Sequence, residues 1–171
     1  MSSLGCSRPN GDREPLFPAR GSWAHDARVA DPYDLHRFVD AQDCIYEMAL
    51  AELQEGSKLS HWMWFIFPQL RGLGLSPTAQ LYGIVSLEEA RAYLRHPVLG
   101  PRIHECVEAI LRWSRRLSAE QILGCMDALK FRSSLTLFDV AEPGGSFARA
   151  LAEFYAGKPD TRTLALLNAP Q

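Results

Sequence analysis

The densest group of chemically versatile side chains lies in the stretch KLSHWMWFIFPQLR, residues 58–71. His61 can exchange a proton near neutral pH. The indoles of Trp62 and Trp64 can stack on a flat ring, and each carries one N–H donor. The stretch also carries polar and charged side chains that can hold an anion: Lys58, Gln69 and Arg71. The pattern predicts either the wall of a ligand pocket or the aromatic centre of the core, and the two roles are compatible.

A second group lies in DALKFRSSLTLF, residues 127–138. On a helix, Asp127, Lys130 and Ser134 fall close to one face, and Ser133 lies three residues after Lys130. Serine is a weak helix former, so this pattern indicates either close helix packing or a hydrogen-bonding wall for a ligand. Asp127 and Lys130 can equally form a surface ion pair. A lysine-activated serine is a further alternative, although the sequence offers no third group to orient the pair.

Gln42 lies between Phe38 and Ile45, on the stripe predicted to face inward. A buried amide needs hydrogen-bond partners, so Gln42 either braces a neighbouring helix or reaches into a cleft. His104 and Glu108 are one helical turn apart, but two ligands at this spacing often occur by chance. We therefore predict no metal site and no cofactor.

The elements that must position these groups are helical. Apolar residues recur at helical spacing from Pro32 onward, and no alternating pattern long enough for a sheet is present. Predicted helices are 34–55, 61–67, 77–82, 87–95, 98–115, a short helix after 118, 126–140, 147–156 and 161–167. Predicted N-caps are Ser60, Ser76, Ser86, Ser118, Ser146 and Asp160, and Ser86 and Ser118 each begin a capping box. The prediction is an all-α protein, a compact irregular bundle of about seven or eight short-to-medium helices.

Composition sets the limits on function. The chain has 171 residues with 18 Lys and Arg against 20 Asp and Glu, a formal net charge of -2, which argues against a general nucleic-acid binder. No apolar run is long enough for a membrane span, and no secretory leader is evident. Four cysteines without CxxC spacing favour a reducing compartment, so we predict a cytoplasmic protein. Residues 1–32 are predicted to be a flexible arm and residues 33–171 a single helical domain.

Three strings, SHWMWFIFPQLRGLG, HPVLGPRI and DALKFRSSLTLF, resemble a bacterial family of uncharacterised cytosolic proteins whose members are often labelled "calpastatin". The resemblance covers roughly residues 35–168, and Phe131 and Leu135 stand where the family usually has leucine and methionine. It implies a mainly helical fold and carries no catalytic assignment. The positions that match the family's motifs are Gln42, Tyr46, Lys58, His61, Trp62, Trp64, Gln69, Asp127, Lys130, Ser133 and Ser134.

Two functional hypotheses follow, and the sequence does not decide whether the protein is an enzyme. The first is a site for a small anionic, phosphorylated or nucleotide-like ligand, with His61 and Lys130 as the catalytic candidates if chemistry occurs. The candidate ligand-binding residues are Gln42, Lys58, Trp62, Trp64, Gln69, Arg71, Asp127, Ser133 and Ser134. The second is a non-catalytic interaction or adaptor domain in which the same polar groups only lock helices together.

Overall fold

Ten helices form the part of the chain that the structure, a computed structural model, describes: residues 31–169. They are α1 His36–Gln42, α2 Tyr46–Gln54, α3 Met63–Ile66, α4 Pro77–Leu81, α5 Leu87–Arg95, α6 Leu99–Leu111, α7 Ala119–Leu123, α8 Cys125–Ala141, α9 Ser146–Tyr155 and α10 Thr161–Leu167. An isolated parallel bridge joins Leu70 to Ile84. The all-α prediction is confirmed over these residues, with ten shorter helices in place of seven or eight. The predicted flexible arm, apart from its last two residues, lies outside the described residues.

Four of the predicted helix starts are confirmed by their cap hydrogen bonds. In each of these, a side-chain oxygen accepts the backbone N–H three residues later: Ser76 at 3.1 Å, Ser86 at 3.1 Å, Ser118 at 3.3 Å and Asp160 at 3.0 Å. Ser118 forms the full capping box, because the Gln121 side chain accepts the Ser118 N–H at 2.8 Å. The predicted box at Ser86 is only half formed, since Glu89 turns to the Val85 N–H and to Arg37.

The predicted helix 34–55 is wrong as one element. It divides into α1 and α2 around a turn that contains Asp43, Cys44 and Ile45. Aspartate, cysteine and the β-branched isoleucine are all weak helix formers, which explains why the helix is interrupted here. The predicted helix 98–115 is also too long, because α6 ends at Leu111.

Two predicted N-caps are wrong because tertiary partners take the serine hydroxyls. Ser60 lies in the loop before α3 and donates its Oγ hydrogen bond to Glu52, so α3 has no side-chain cap. Ser146 is the first residue of α9 rather than its cap, and its Oγ lies 3.0 Å from Nδ1 of His104.

Helix α8 is the centre of the bundle and packs against α5, α7, α9 and α10. Its Phe131 meets Phe67 edge to face at 4.8 Å between ring centroids, and its Phe138 lies 5.4 Å from Tyr93. Large aromatic side chains therefore fill the interior on both sides of α8. Within residues 31–169, no helix is both long and apolar enough to pass through a membrane.

Candidate functional site

The loop between α2 and α3 is held by a buried carboxylate. Glu52, 7% exposed, accepts the backbone N–H groups of Leu59 at 2.9 Å and Ser60 at 3.1 Å. It also accepts the Trp62 indole N–H at 2.8 Å and the Ser60 hydroxyl. Burial acts to raise the pKa of Glu52, but these hydrogen bonds outweigh it and hold the pKa below its ordinary value. The carboxylate thus fixes the loop that presents Lys58.

Lys58 and Lys130 share one carboxylate, that of Asp127. The Lys58 N–H donates to the Ile122 carbonyl at 2.8 Å, which places the loop beside the start of α8. Its Nζ then lies 2.7 Å from one oxygen of Asp127, and Nζ of Lys130 lies 2.8 Å from the other. The three side chains are 7%, 26% and 18% exposed for Lys58, Lys130 and Asp127. Two ammonium groups thus share one carboxylate at a partly buried position, and the Glu52 carboxylate lies close by, because Lys58 and Glu52 both contact Ser60 and Trp62.

The charge state of Asp127 follows from this geometry. Burial acts to raise the pKa of Asp127, but the hydrogen bonds and charges of Lys130 and Lys58 hold it below its ordinary value. The carboxylate is therefore ionised at neutral pH.

Each lysine also lies over an indole ring. Nζ of Lys58 is 4.8 Å from the Trp62 ring centroid, and Nζ of Lys130 is 4.5 Å from that of Trp64. We call Lys58, Trp62, Trp64, Asp127 and Lys130 the lysine–tryptophan cluster. Trp62 is fully buried and lies in the core, whereas Trp64 is partly exposed. Of the two indoles predicted to stack on a ligand, only Trp64 is partly exposed, and Lys130 lies over its ring.

A narrow recess adjoins the cluster. Trp64 and Lys130 line it together with Gln69, Tyr82 and Gly83. Its cavity volume is about 10 Å³, room for about one water molecule. A larger ligand therefore needs the recess to open.

Two predicted site residues, His61 and Arg71, lie outside the recess. His61 is exposed, directly before Trp62, and does not line the recess. Arg71 lines a different, open depression of about 320 Å³ with Tyr33 and Arg37. The structure therefore does not bring Arg71 to the lysine–tryptophan cluster.

Gln42 braces helices, as one of its two predicted roles required. It is 1% exposed, and its Nε2 donates to the Phe65 carbonyl at 2.7 Å and to the Tyr93 hydroxyl at 3.1 Å. Arg102 donates to its Oε1 at 3.3 Å. The amide is satisfied on both sides by protein groups and is absent from the lining of the recess.

The two predicted serines of α8 differ sharply. Ser133 Oγ donates to Asp160 at 3.1 Å, and Thr136 Oγ1 accepts the Asp160 N–H at 2.8 Å, so these residues join α8 to the start of α10. Burial acts to raise the pKa of Asp160, but hydrogen bonds from Thr163 and Ser133 hold it below its ordinary value. Ser134 is 1% exposed, and its Oγ finds no hydrogen-bond partner among the described residues.

Glu52, the residue that positions the loop, is not among the site residues predicted from the sequence. A pattern that could have found it exists, since Glu52 follows Ala49 by three residues on the buried face of α2. A glutamate on an apolar stripe indicates a buried, fully hydrogen-bonded carboxylate.

Comparison with known proteins places the chain in a family. A family model described as "Protein of unknown function (DUF1810)" matches residues 32–167. The chain belongs to the DUF1810 family. The match agrees with the predicted membership of an uncharacterised family, and its description carries no "calpastatin" label.

A solved relative shares the fold of this DUF1810 chain. The crystal structure of the conserved hypothetical protein Rv1873 from Mycobacterium tuberculosis is 52% identical, with a TM-score of 0.79. The alignment covers 82% of this chain and 100% of that chain. No curated protein matches the chain.

Proposed function

We propose that the protein binds a small anionic ligand with a flat ring, of the phosphorylated or nucleotide-like class, at the lysine–tryptophan cluster. The observation that carries the proposal is that Lys58 and Lys130 share the single carboxylate of Asp127 beside an indole face. The two ammonium groups supply an attraction for an anion. The indole supplies a surface for a ring.

Lys130 is the group best suited to change partners. It is the more exposed of the two lysines, and it now covers the Trp64 ring. An incoming phosphate can draw its ammonium away from the ring, because the charge-assisted hydrogen bond to a phosphate replaces the cation–π contact. The ligand's ring then takes the uncovered indole face, and the recess beside Trp64 opens toward Gln69 and Tyr82.

Lys58 serves a different purpose in this proposal. It is 7% exposed and is held by Asp127, by the Ser60 carbonyl at 2.6 Å and by the Trp62 ring. A group so constrained contributes a fixed positive charge. His61 is the proton donor or acceptor of the proposal if turnover occurs, because it is exposed next to Trp62.

The matched test uses the small number of lysines in this chain, which are Lys58, Lys130 and Lys158. We expect nucleotides or sugar phosphates to raise the unfolding temperature and to bind by calorimetry, with inorganic phosphate as the minimal anion. Lys130→Met should weaken that binding at least about tenfold, since a hydrogen bond to a charged group contributes roughly 1.5–3 kcal/mol. Lys158→Met, at an exposed lysine outside the cluster, should bind like the wild type.

A variant of His61 gives a second test of the ligand proposal. His61→Ala should lose any turnover while ligand binding and the circular dichroism spectrum stay close to those of the wild type, because the side chain is exposed and does not line the recess. If no anionic ligand of the panel shifts the unfolding temperature of the wild type, the ligand proposal is lost. The non-catalytic interaction domain then becomes the better hypothesis.

A further inference from the structure

A second group of reactive side chains lies at the far end of α8, about 18 Å along the helix axis from Lys130. Ser146 Oγ is 3.0 Å from Nδ1 of His104, and Nε2 of the same imidazole is 3.6 Å from Oε1 of Glu142. The imidazole comes from α6, the carboxylate from the end of α8 and the hydroxyl from the first residue of α9. Three separate elements thus bring a hydroxyl, an imidazole and a carboxylate close together.

The carboxylate of Glu142 lies 3.6 Å from Nε2 of His104, beyond hydrogen-bond distance, so it acts on the ring through its negative charge. That charge favours the tautomer of His104 with the proton on Nε2. Nδ1 is then the acceptor, and the Ser146 hydroxyl donates to it. This is the proton arrangement in which an imidazole acts as a general base toward a serine, with the ring nitrogens in the opposite order to the serine protease triad.

The backbone around Ser146 adds donors for a developing negative charge. Ser146 begins the ten-residue helix α9, whose N-cap Gly145 makes no side-chain cap hydrogen bond. The first amides of a helix lack intrahelical partners, and those of Phe147 and Ala148 follow Ser146 in the first turn of α9. An oxyanion formed on a carbonyl attached to Ser146 would meet these amides.

The ring of His104 is held while its edge stays accessible. It packs against Phe147, which is fully buried, with 4.9 Å between the ring centroids. The side chains of His104 and Glu142 are 35% and 54% exposed. Ser146 is itself partly exposed, so all three residues lie at the surface of the fold.

We propose that Ser146, His104 and Glu142 form an acyl-transfer site for small esters. Ser146 Oγ attacks the ester carbonyl carbon while its proton passes to Nδ1 of His104. The C–O bond to the alcohol then breaks, and the imidazolium returns that proton to the leaving oxygen, which leaves an acyl-Ser146 ester. Water, deprotonated by the same imidazole, attacks this ester and releases a carboxylic acid and the free hydroxyl. Glu142 acts as a positioning residue that favours the imidazolium.

The substrate class follows from the openness of the site. The side chains of His104 and Glu142 are 35% and 54% exposed, and the recess beside Trp64 and the depression beside Arg71 are lined by other residues. The site therefore selects by reactivity rather than by shape, and it suits short acyl groups with good leaving groups.

The experiment treats the full-length protein with a fluorophosphonate and identifies the labelled residue by peptide mass spectrometry. We expect a covalent adduct on Ser146, and we expect acetyl-Ser146 after exposure to 4-nitrophenyl acetate. His104→Gln should slow labelling of Ser146 at least about 100-fold, the range expected for loss of a general base. Glu142→Gln should slow it by a smaller factor and shift the pH profile of labelling.

The control is Ser118, an exposed serine that caps α7 and hydrogen-bonds to a backbone amide. Ser118→Ala should label at Ser146 like the wild type, and Ser118 itself should stay unlabelled. The proposal is overturned if Ser146 labels no faster than Ser118. It is equally overturned if His104→Gln, folded by circular dichroism, labels at the wild-type rate, or if Ser146→Ala keeps the adduct and the esterase rate.

Discussion

At the scale of single residues, the interior of this protein shows what its buried polar groups do. Seven polar or charged residues are buried among the described residues, and six of them hydrogen-bond to protein groups that join one segment to another or fix a helix turn. Ser134 is the exception. A buried hydroxyl without a partner is unfavourable by roughly 1–3 kcal/mol, so its retention needs a reason. A ligand or a bound water at Ser134 would supply one.

The neighbouring serines of α8 give a matched pair of variants. Ser134→Ala should raise the free energy of unfolding by roughly 1 kcal/mol, because it removes an unsatisfied hydroxyl and introduces a better helix former. Ser133→Ala should lower it by roughly 1 kcal/mol, because Asp160 loses a donor. Urea denaturation measures both. A Ser134→Ala variant less stable than the wild type would mean that the hydroxyl has a partner in solution.

The candidate residues were predictable by type, but their roles were not. Sequence spacing placed Asp127 and Lys130 on one face and Lys58 near the tryptophans, and the structure joins all three. Nothing in the sequence indicates that Lys58 would pair across 69 positions with Asp127, because that contact depends on how the loop after α2 meets α7. Likewise, Arg71 is close to Trp64 in sequence and yet lines a separate depression.

At the scale of elements, the loop between α2 and α3 depends on one side chain. Glu52 receives two backbone N–H groups, a hydroxyl and an indole N–H from this loop. The loop has no regular structure of its own between Ser57 and Ser60, so these bonds take the place of a helix or sheet ladder. The position of Lys58 therefore depends on Glu52.

The pH dependence of the free energy of unfolding tests whether the ionised carboxylate of Glu52 holds the loop. The pKa of Glu52 in the fold lies below its ordinary value of 4.5, so its ionised form stabilises the fold above pH 4.5. That contribution is lost as the pH falls through the lowered pKa. Glu52→Gln should be roughly 2 kcal/mol less stable than the wild type at pH 7, and the difference should shrink as the pH falls below 4.5.

The matched control for this measurement is Glu55→Gln, at an exposed glutamate that ends the same helix. Glu55→Gln should unfold at the same urea concentration as the wild type, both at pH 7 and below pH 4.5. If the Glu52→Gln difference stays constant with pH, the carboxylate is not what holds the loop.

Local sequence predicted the starts of helices better than their breaks and ends. The caps at Ser76, Ser86, Ser118 and Asp160 need only a hydroxyl or carboxylate three residues before a free N–H, and all four are present. Ser60 satisfies the same local pattern but bonds to Glu52, eight residues away. A cap fails where a distant partner competes for the hydroxyl, and local spacing contains no information about that partner.

At the scale of the whole molecule, α8 links the two candidate sites. Its first turns carry Asp127 and Lys130, and its end carries Glu142 beside the start of α9. The middle of α8 is buried among aromatic side chains on several sides. Because the helix is rigidly packed along its length, we expect variants at one site to leave the other unaffected. Labelling of Ser146 in Lys130→Met should therefore match the wild type.

We expect the folding unit to begin near Asp31. The family model begins at residue 32, and the relative of 52% identity is covered over its full length by 82% of this chain. The buried core begins at Leu35, and the N–H groups of Tyr33 and His36 are held by Asp31. A chain that starts at Asp31 should therefore keep the helical circular dichroism of the full chain and unfold within about 2 °C of it. A loss of cooperative unfolding would mean that residues 1–30 contribute to the core, and the unit would then have to be extended to include them.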